Sequence, residues 1–202
     1  NIVGSAGTPP TSLLTYLTAG AYLDSEGAPR DGRRSCIVEP FTGATIVDSL
    51  KGLFVPSDVI GKQYQKGMMG RDSAGMNWKM DQNVSAQTFG SFAGTAVCNT
   101  STATGFLSTG WASTSTISIT SAGAVSLKAG DVITIDGVFA VNPQNRQAYG
   151  SNRLRNFVVQ ADASGTGATF NVIVSPAVIS GGQFQNVTIP SPASSAVNFF
   201  NK

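Results

Sequence analysis

Histidine is absent from this 202-residue sequence. Without an imidazole there is no Ser-His-Asp or Cys-His pairing, no histidine ligand for zinc and no ordinary proton shuttle near neutral pH. Charge is scarce as well: 12% of residues are Asp, Glu, Lys or Arg, against about 25% in an average soluble protein. The 13 Lys+Arg and 11 Asp+Glu leave a formal net charge of +2. That surplus is too small to displace counterions from nucleic-acid phosphates, so sequence-specific or non-specific nucleic-acid binding is not expected. A low net charge beside 41% hydrophobic residues also excludes a disordered tail. No apolar run approaches the roughly 20 residues that a membrane-spanning helix needs. Cysteine is limited to Cys36 and Cys98. Cys36 lies in the apolar run Cys36-Ile37-Val38, where a buried free thiol is expected. Reduced thiols in a cytosol are the preferred reading, and spacing alone leaves a disulfide open. Short N-x-S/T matches at Asn83, Asn99 and Asn186 carry little weight.

What is present is enough chain for one large domain or two small ones, with a surface rich in Ser, Thr, Gly and Asn. No signal-peptide pattern is visible at Asn1, and the chain ends on Asn198-Phe199-Phe200-Asn201-Lys202, so a piece cut from a longer polypeptide is expected. Two compositional zones follow one another. From about Pro9 to Gly90 the signals are mainly helical. Thr8-Pro9-Pro10-Thr11 opens a helix in which Leu13, Leu14, Leu17, Ala21 and Tyr22 share one face, and Gly27-Ala28-Pro29 stops it. Arg34 to Glu39 reads as a short strand closed by Pro40. A second helix is predicted over Thr42 to Leu50, with Ile46, Val47 and Leu50 apolar, and a third after Pro56. Met76, Trp78 and Met80 alternate with polar residues, as in a half-buried strand.

From Ser91 onward the chain reads as strands and turns. Thr116 to Thr120 and Val132 to Asp136 alternate with period two, and Phe157 to Val159 and Phe170 to Val174 are further strands. Gly130, Gly137, Gly165 and Gly167 are read as turn residues. Several short strands with turns between them predict a small antiparallel barrel or sandwich. Two longer polar connections stand out, Asn99 to Ser113 and Asn142 to Asn152.

None of the residue constellations rises to catalysis. Gly67 to Gly75 lacks the Lys-Ser/Thr and helix of a phosphate loop. Asp131 and Asp136 are best explained as turn aspartates beside Gly130 and Gly137. Arg146, Arg153 and Arg155 cluster in and after a polar loop, where a protein contact is favoured over an anion site. Phe89, Phe92, Phe106 and Trp111 lack interleaved basic residues and read as packing aromatics. A serine without a base has no activation route. No catalytic residue, metal ligand or cofactor site is assigned.

Taken in order, certain stretches resemble the major coat (capsid) proteins of tailed bacteriophages of the P22 type. They are Gly4 to Pro10 leading into the Thr11–Asp24 helix, Gly27-Ala28-Pro29, Arg34 to Pro40, Gly52-Leu53-Phe54, Tyr64 to Gly75, and Asp81 to Val84 ahead of Thr88-Phe89-Gly90. The most specific is Leu127-Lys128-Ala129-Gly130-Asp131-Val132-Ile133-Thr134-Ile135-Asp136-Gly137-Val138. Val141-Asn142-Pro143, Arg155 to Val159 and Ser175 to Ile179 follow it. The resemblance implies an α+β chain: part of an HK97-like coat fold, helices plus a short sheet, with an inserted antiparallel β-barrel domain. It implies residues 1–90 as a partial peripheral and apical coat-core region, 91–190 as the insertion barrel, expected to fold alone, and 191–202 as a return to the coat core.

The implied function is structural and not enzymatic. The chain would self-assemble through hexamers and pentamers into an icosahedral phage or prophage head around double-stranded DNA. Scaffolding and portal proteins are the further partners that the resemblance implies. The implied location is the virion, with assembly in the bacterial host cytoplasm and no membrane contact. Asn99, Phe106 and Trp111 are expected to mark a loop touching subunits across capsomers, and Asn142, Arg146 and Arg153 a loop against the coat core. The alternative is an extracellular β-rich carbohydrate-binding, adhesin or tail-fibre module. The Ser/Thr/Asn/Gly-rich second half supports it, and the helices of the first half count against it.

Overall fold

A computed structural model of the chain describes residues 2–5, 7–50, 67, 73–98, 107–108, 110–150, 153–189 and 197–199. It divides into two compact units, Val3–Ala86 and Gln87–Lys202, the latter with Asn1–Ile2. In the first unit, Ser12 caps helix α1 (Leu13–Ser25), its hydroxyl accepting from the Leu14 amide at 3.3 Å. Gly27 ends the helix in the left-handed region (φ 78°). The Gly27 amide donates to the Asp24 carbonyl and the Ala28 amide to the Leu23 carbonyl. Glycine therefore makes the stop, two residues before Pro29 is reached.

The face of α1 differs from the expected one. Tyr16 is buried, whereas Leu14 and Leu17 stand 71% and 49% exposed. No residue from Leu13 to Leu23 is charged, so apolar periodicity does not single out an inner face. Trp78 does: its ring meets Tyr16 edge-on at 5.2 Å, and the Tyr16 hydroxyl donates to the Pro10 carbonyl at 2.5 Å.

Strand β1 (Ser35–Val38) leads into α2 (Pro40–Leu50), then β2 (Asn77–Met80) pairs parallel with β1, Cys36 opposite Trp78. Helix α2 starts two residues earlier than predicted because Pro40 suits a first helical position, having no amide to satisfy. Ile46 and Leu50 are buried with Tyr16, Met76 and Trp78. Cys36 is only partly buried, contrary to expectation. Met80 is exposed, so the Met76-Trp78-Met80 alternation holds for its first two members. The helix predicted after Pro56 and most of the stretch 67–75 lie outside the described residues.

The second unit is built on strands. They are β3 (Ser91–Phe92), β4 (Ala96–Cys98), β5 (Leu107–Ser108), β6 (Ser115–Ser121), β7 (Ala124–Leu127), β8 (Val132–Ala140), β9 (Leu154–Val159), β10 (Ala163–Thr166), β11 (Thr169–Ser175), β12 (Val178–Ile179), β13 (Val187–Thr188) and β14 (Val197–Phe199). A curled antiparallel sheet runs β13-β8-β9-β11-β6-β4, with β14 also on β8, and β10-β7-β3 forms a smaller sheet. Strand β6 keeps the predicted alternation, Ile117 and Ile119 inward. In β8 four successive residues, Val132 to Ile135, are buried, the pattern of a strand covered on both faces.

Two glycines read as turns are not turns. Gly137 sits inside β8 at φ 78°, where the register to β9 shifts between Thr134 and Phe139, and so makes a bulge. Gly165 sits inside β10, where a Cβ would come within 2.3 Å of the Phe170 ring. The core gathers Ile117, Ile119, Ile133, Ile135, Phe157, Val172 and Val174. Burying such side chains contributes about 1.5–3 kcal/mol each.

Candidate subunit-contact surface

Between β8 and β9 the chain leaves the sheet as a folded projection. Val141 bridges to Ala148, the Asn142 amide donates to the Gln147 carbonyl at 2.9 Å, and the Arg146 amide donates to the Asn142 carbonyl at 2.8 Å. Asn142 and Asn145 each turn a side-chain oxygen onto a backbone amide two residues on, at 2.9 and 3.0 Å. This places Arg146 at a left-handed φ of 58°, with its side chain exposed. At the base, the Ala140 amide donates to the Arg153 carbonyl, and the Arg153 guanidinium stacks 4.6 Å over the Tyr149 ring. The three predicted contact residues of this loop thus divide their work. Asn142 shapes the turn, Arg146 points to solvent and Arg153 lies on an aromatic face.

On the other predicted loop, Trp111 is 73% exposed. The reading of Trp111 as a packing residue is therefore corrected, because its ring is left largely open to solvent. Phe92 does pack against the core, and Phe89 is partly exposed. Asn99 and Phe106 lie outside the described residues.

The turn between β7 and β8 holds the start of this unit in place. Asp131 is buried, and its carboxylate accepts from the Lys128 amide (2.8 Å) and from the Gly90 amide (3.1 Å). The Gln87 side-chain amide donates to the Ala129 carbonyl at 2.7 Å. A Cβ on Gly90 would sit 2.0 Å from the Ser126 carbonyl oxygen, so only glycine lets the strap pass so close. Asp162 accepts from the Ala129 amide and the Lys128 ammonium, at 2.9 and 2.6 Å, and these hold its carboxyl below the usual range. The turn role expected for Asp131 is right, but its reach to Gly90, forty-one residues away, had no local signal. Asp136 is exposed on β8 and does not share this buried setting.

In the first unit, Asp24 at the end of α1 binds both Arg30 and Arg34. Arg30 donates from Nε at 2.9 Å and pairs again through Nη2, and Arg34 pairs through Nη2 at 2.8 Å. Arg34 is mostly buried and also donates to the Ala28 and Pro29 carbonyls. The Arg30 hydrogen bonds, then those of Arg34, hold the Asp24 carboxyl well below the ordinary carboxylate range. This cluster joins residues on both sides of the Gly27 stop, and sequence reasoning missed it.

Burial pushes the Cys98 thiol up to about 11 and also raises Cys36, so both stay protonated near neutral pH and neither is a thiolate nucleophile. Among the described residues no three His, Cys, Asp or Glu side chains come together in a metal-binding group, and no helix is long and apolar enough to cross a membrane. The arrangement offers surfaces and projections for contact.

Comparison with known proteins gives this geometry a context. A solved structure entitled "CUS-3 coat protein I-domain" is 26% identical, covering 45% of this chain and 76% of that one, with a TM-score of 0.33. No match was found among curated proteins. The model of the family described as "P22 coat protein - gene protein 5" matches residues 17–201. The chain therefore belongs to the P22 coat protein family and is a structural, non-enzymatic protein of the bacteriophage capsid.

Proposed function

We propose that the chain forms part of an HK97-like coat subunit in which the β-rich unit is the inserted domain. Its hydrogen-bonded extent, from Gln87 to Phe199, is wider than residues 91–190. Of its two long loops in the assembled head, one touches subunits across capsomers and the other packs against the subunit's own coat core. Trp111 marks the first, with Asn99 and Phe106 assigned to it from the sequence, and Arg146 with Arg153 marks the second. Scaffolding and portal proteins are the further partners of assembly, which takes place in the host cytoplasm.

One observation carries this reading. The 141–150 segment is folded by its own asparagines and holds Arg146 outward at a left-handed backbone position. A turn shaped by its own hydrogen bonds before contact loses little entropy on docking. The test is the double substitution Arg146→Ala and Arg153→Ala in the coat chain, scored by electron microscopy. Aberrant or fewer shells are expected. Shells of wild-type form and yield would remove the arginines from the interface.

A further inference from the structure

The outer face of α1 combines features that a solvated helix rarely shows together. Leu14, Leu17, Thr18 and Ala21 recur at helical spacing along it. Leu14, Leu17 and Ala21 are exposed, and Thr18 returns its hydroxyl to the Leu14 carbonyl at 2.7 Å. No charge lies between Leu13 and Leu23. Leu17 and Ala21 continue into a groove of about 430 Å³ whose other walls include the small residues Gly20, Ala74 and Gly75. Its lining also includes two guanidiniums, the exposed Arg30 and the mostly buried Arg34, against the single carboxylate of Asp24. The groove's lining is thus more apolar than polar and carries one formal net positive charge.

We infer that this groove receives a second copy of the chain, with Phe41 of that copy as the inserted side chain. The inference rests on the capsid role, which surrounds each chain with copies of itself. Phe41 is the most exposed large apolar residue of the described chain, at 81%. It stands at the start of α2, two residues after the carboxylate of Glu39, so the inserted segment brings the charge that the lining lacks. Trp111 is the competing candidate, but no charged residue lies between Asp81 and Lys128, and it brings nothing to match the arginines. Groove and insert are different surfaces of the same unit, so a head-to-tail contact between copies can repeat around a ring. An aromatic anchor in a desolvated pocket is the usual centre of binding energy in such interfaces.

The test places a photo-crosslinking benzoylphenylalanine at position 41 and assembles particles from mixed light and isotopically heavy chains. Light–heavy cross-links from position 41 to residues 17–34 are expected in shells and absent from unassembled chain. Cross-links confined to one copy, or to any other surface, overturn the inference. As a second measurement, Phe41→Ser and Leu17→Glu alter only exposed positions. Each is expected to leave the melting of the unassembled chain unchanged and to lower shell yield about tenfold or more, equivalent to about 1.4 kcal/mol per contact. Unchanged yield from Phe41→Ser overturns the inference as well. Failure of the unsubstituted chain to enter shells would instead count against the capsid role.

Discussion

Asp24 shows how one side chain ties a local stop to its surroundings. Its carboxylate faces two guanidiniums, one of them, Arg34, largely removed from water and also bonded to two carbonyls. The folded-state pKa of Asp24 lies below the ordinary value of 3.8. The stabilisation from ionised Asp24 is therefore present above about pH 4 and lost as the pH falls below that value toward the folded pKa. Thermal melting of wild type and Asp24→Asn between pH 2 and pH 7 checks this. The wild type is expected to melt higher at neutral pH, with the difference closing in acid. A constant difference at every pH would place the role of Asp24 elsewhere. Asp162 is lowered in the same sense by Lys128 and the Ala129 amide, but it is exposed, so its share is small.

At the scale of elements, the strands were the most legible part of the chain. Strand β6 alternates because one of its faces is buried and the other is not, and that pattern is written into Thr116 to Thr120 directly. The 141–150 segment was legible in part as well, since Asn142-Pro143 and Asn145 encode turns through their own side chains. Gly137 was legible only as a glycine. A left-handed glycine serves equally in a turn or a bulge, and the pairing with β9 decides between them. Gly137→Ala is expected to destabilise the β-rich unit by about 1–2 kcal/mol, the cost of a Cβ in the left-handed region, read from urea unfolding midpoints. A neutral result would mean that β8 passes this point without the bulge. The inner face of α1 was not legible, because a helix with no charge from Leu13 to Leu23 has several apolar sides. Trp78 is supplied from more than fifty residues away.

For the molecule as a whole, the limits of the β-rich unit follow from hydrogen bonds across long sequence separations. The strap before β3 enters through Gly90 and Gln87, and β14 lies on Ile133 to Ile135 of β8 with Val197 buried. A piece cut at residues 91–190 loses both and leaves the buried Asp131 carboxylate without the Gly90 amide, at a cost of about 1–3 kcal/mol for that bond alone. A piece spanning 87–202 is expected to give a dispersed amide NMR spectrum and to melt several degrees above the shorter one. Equal melting of the two pieces would show that strap and β14 add nothing to the fold.

Composition and period gave the absence of imidazole chemistry, the scarcity of charge and the order of helices and then strands before any coordinates, and an ordered run of segments resembling P22-type coat proteins pointed to a coat subunit. Those properties are local or additive, and a linear chain states them outright. Which face of α1 turns inward, that Gly137 bends a strand, that Asp131 reaches Gly90, and that a charge-bearing groove stands beside an exposed stripe are decided only in three dimensions. Each depends on partners tens of residues away, and their identity is a property of the folded chain as a whole.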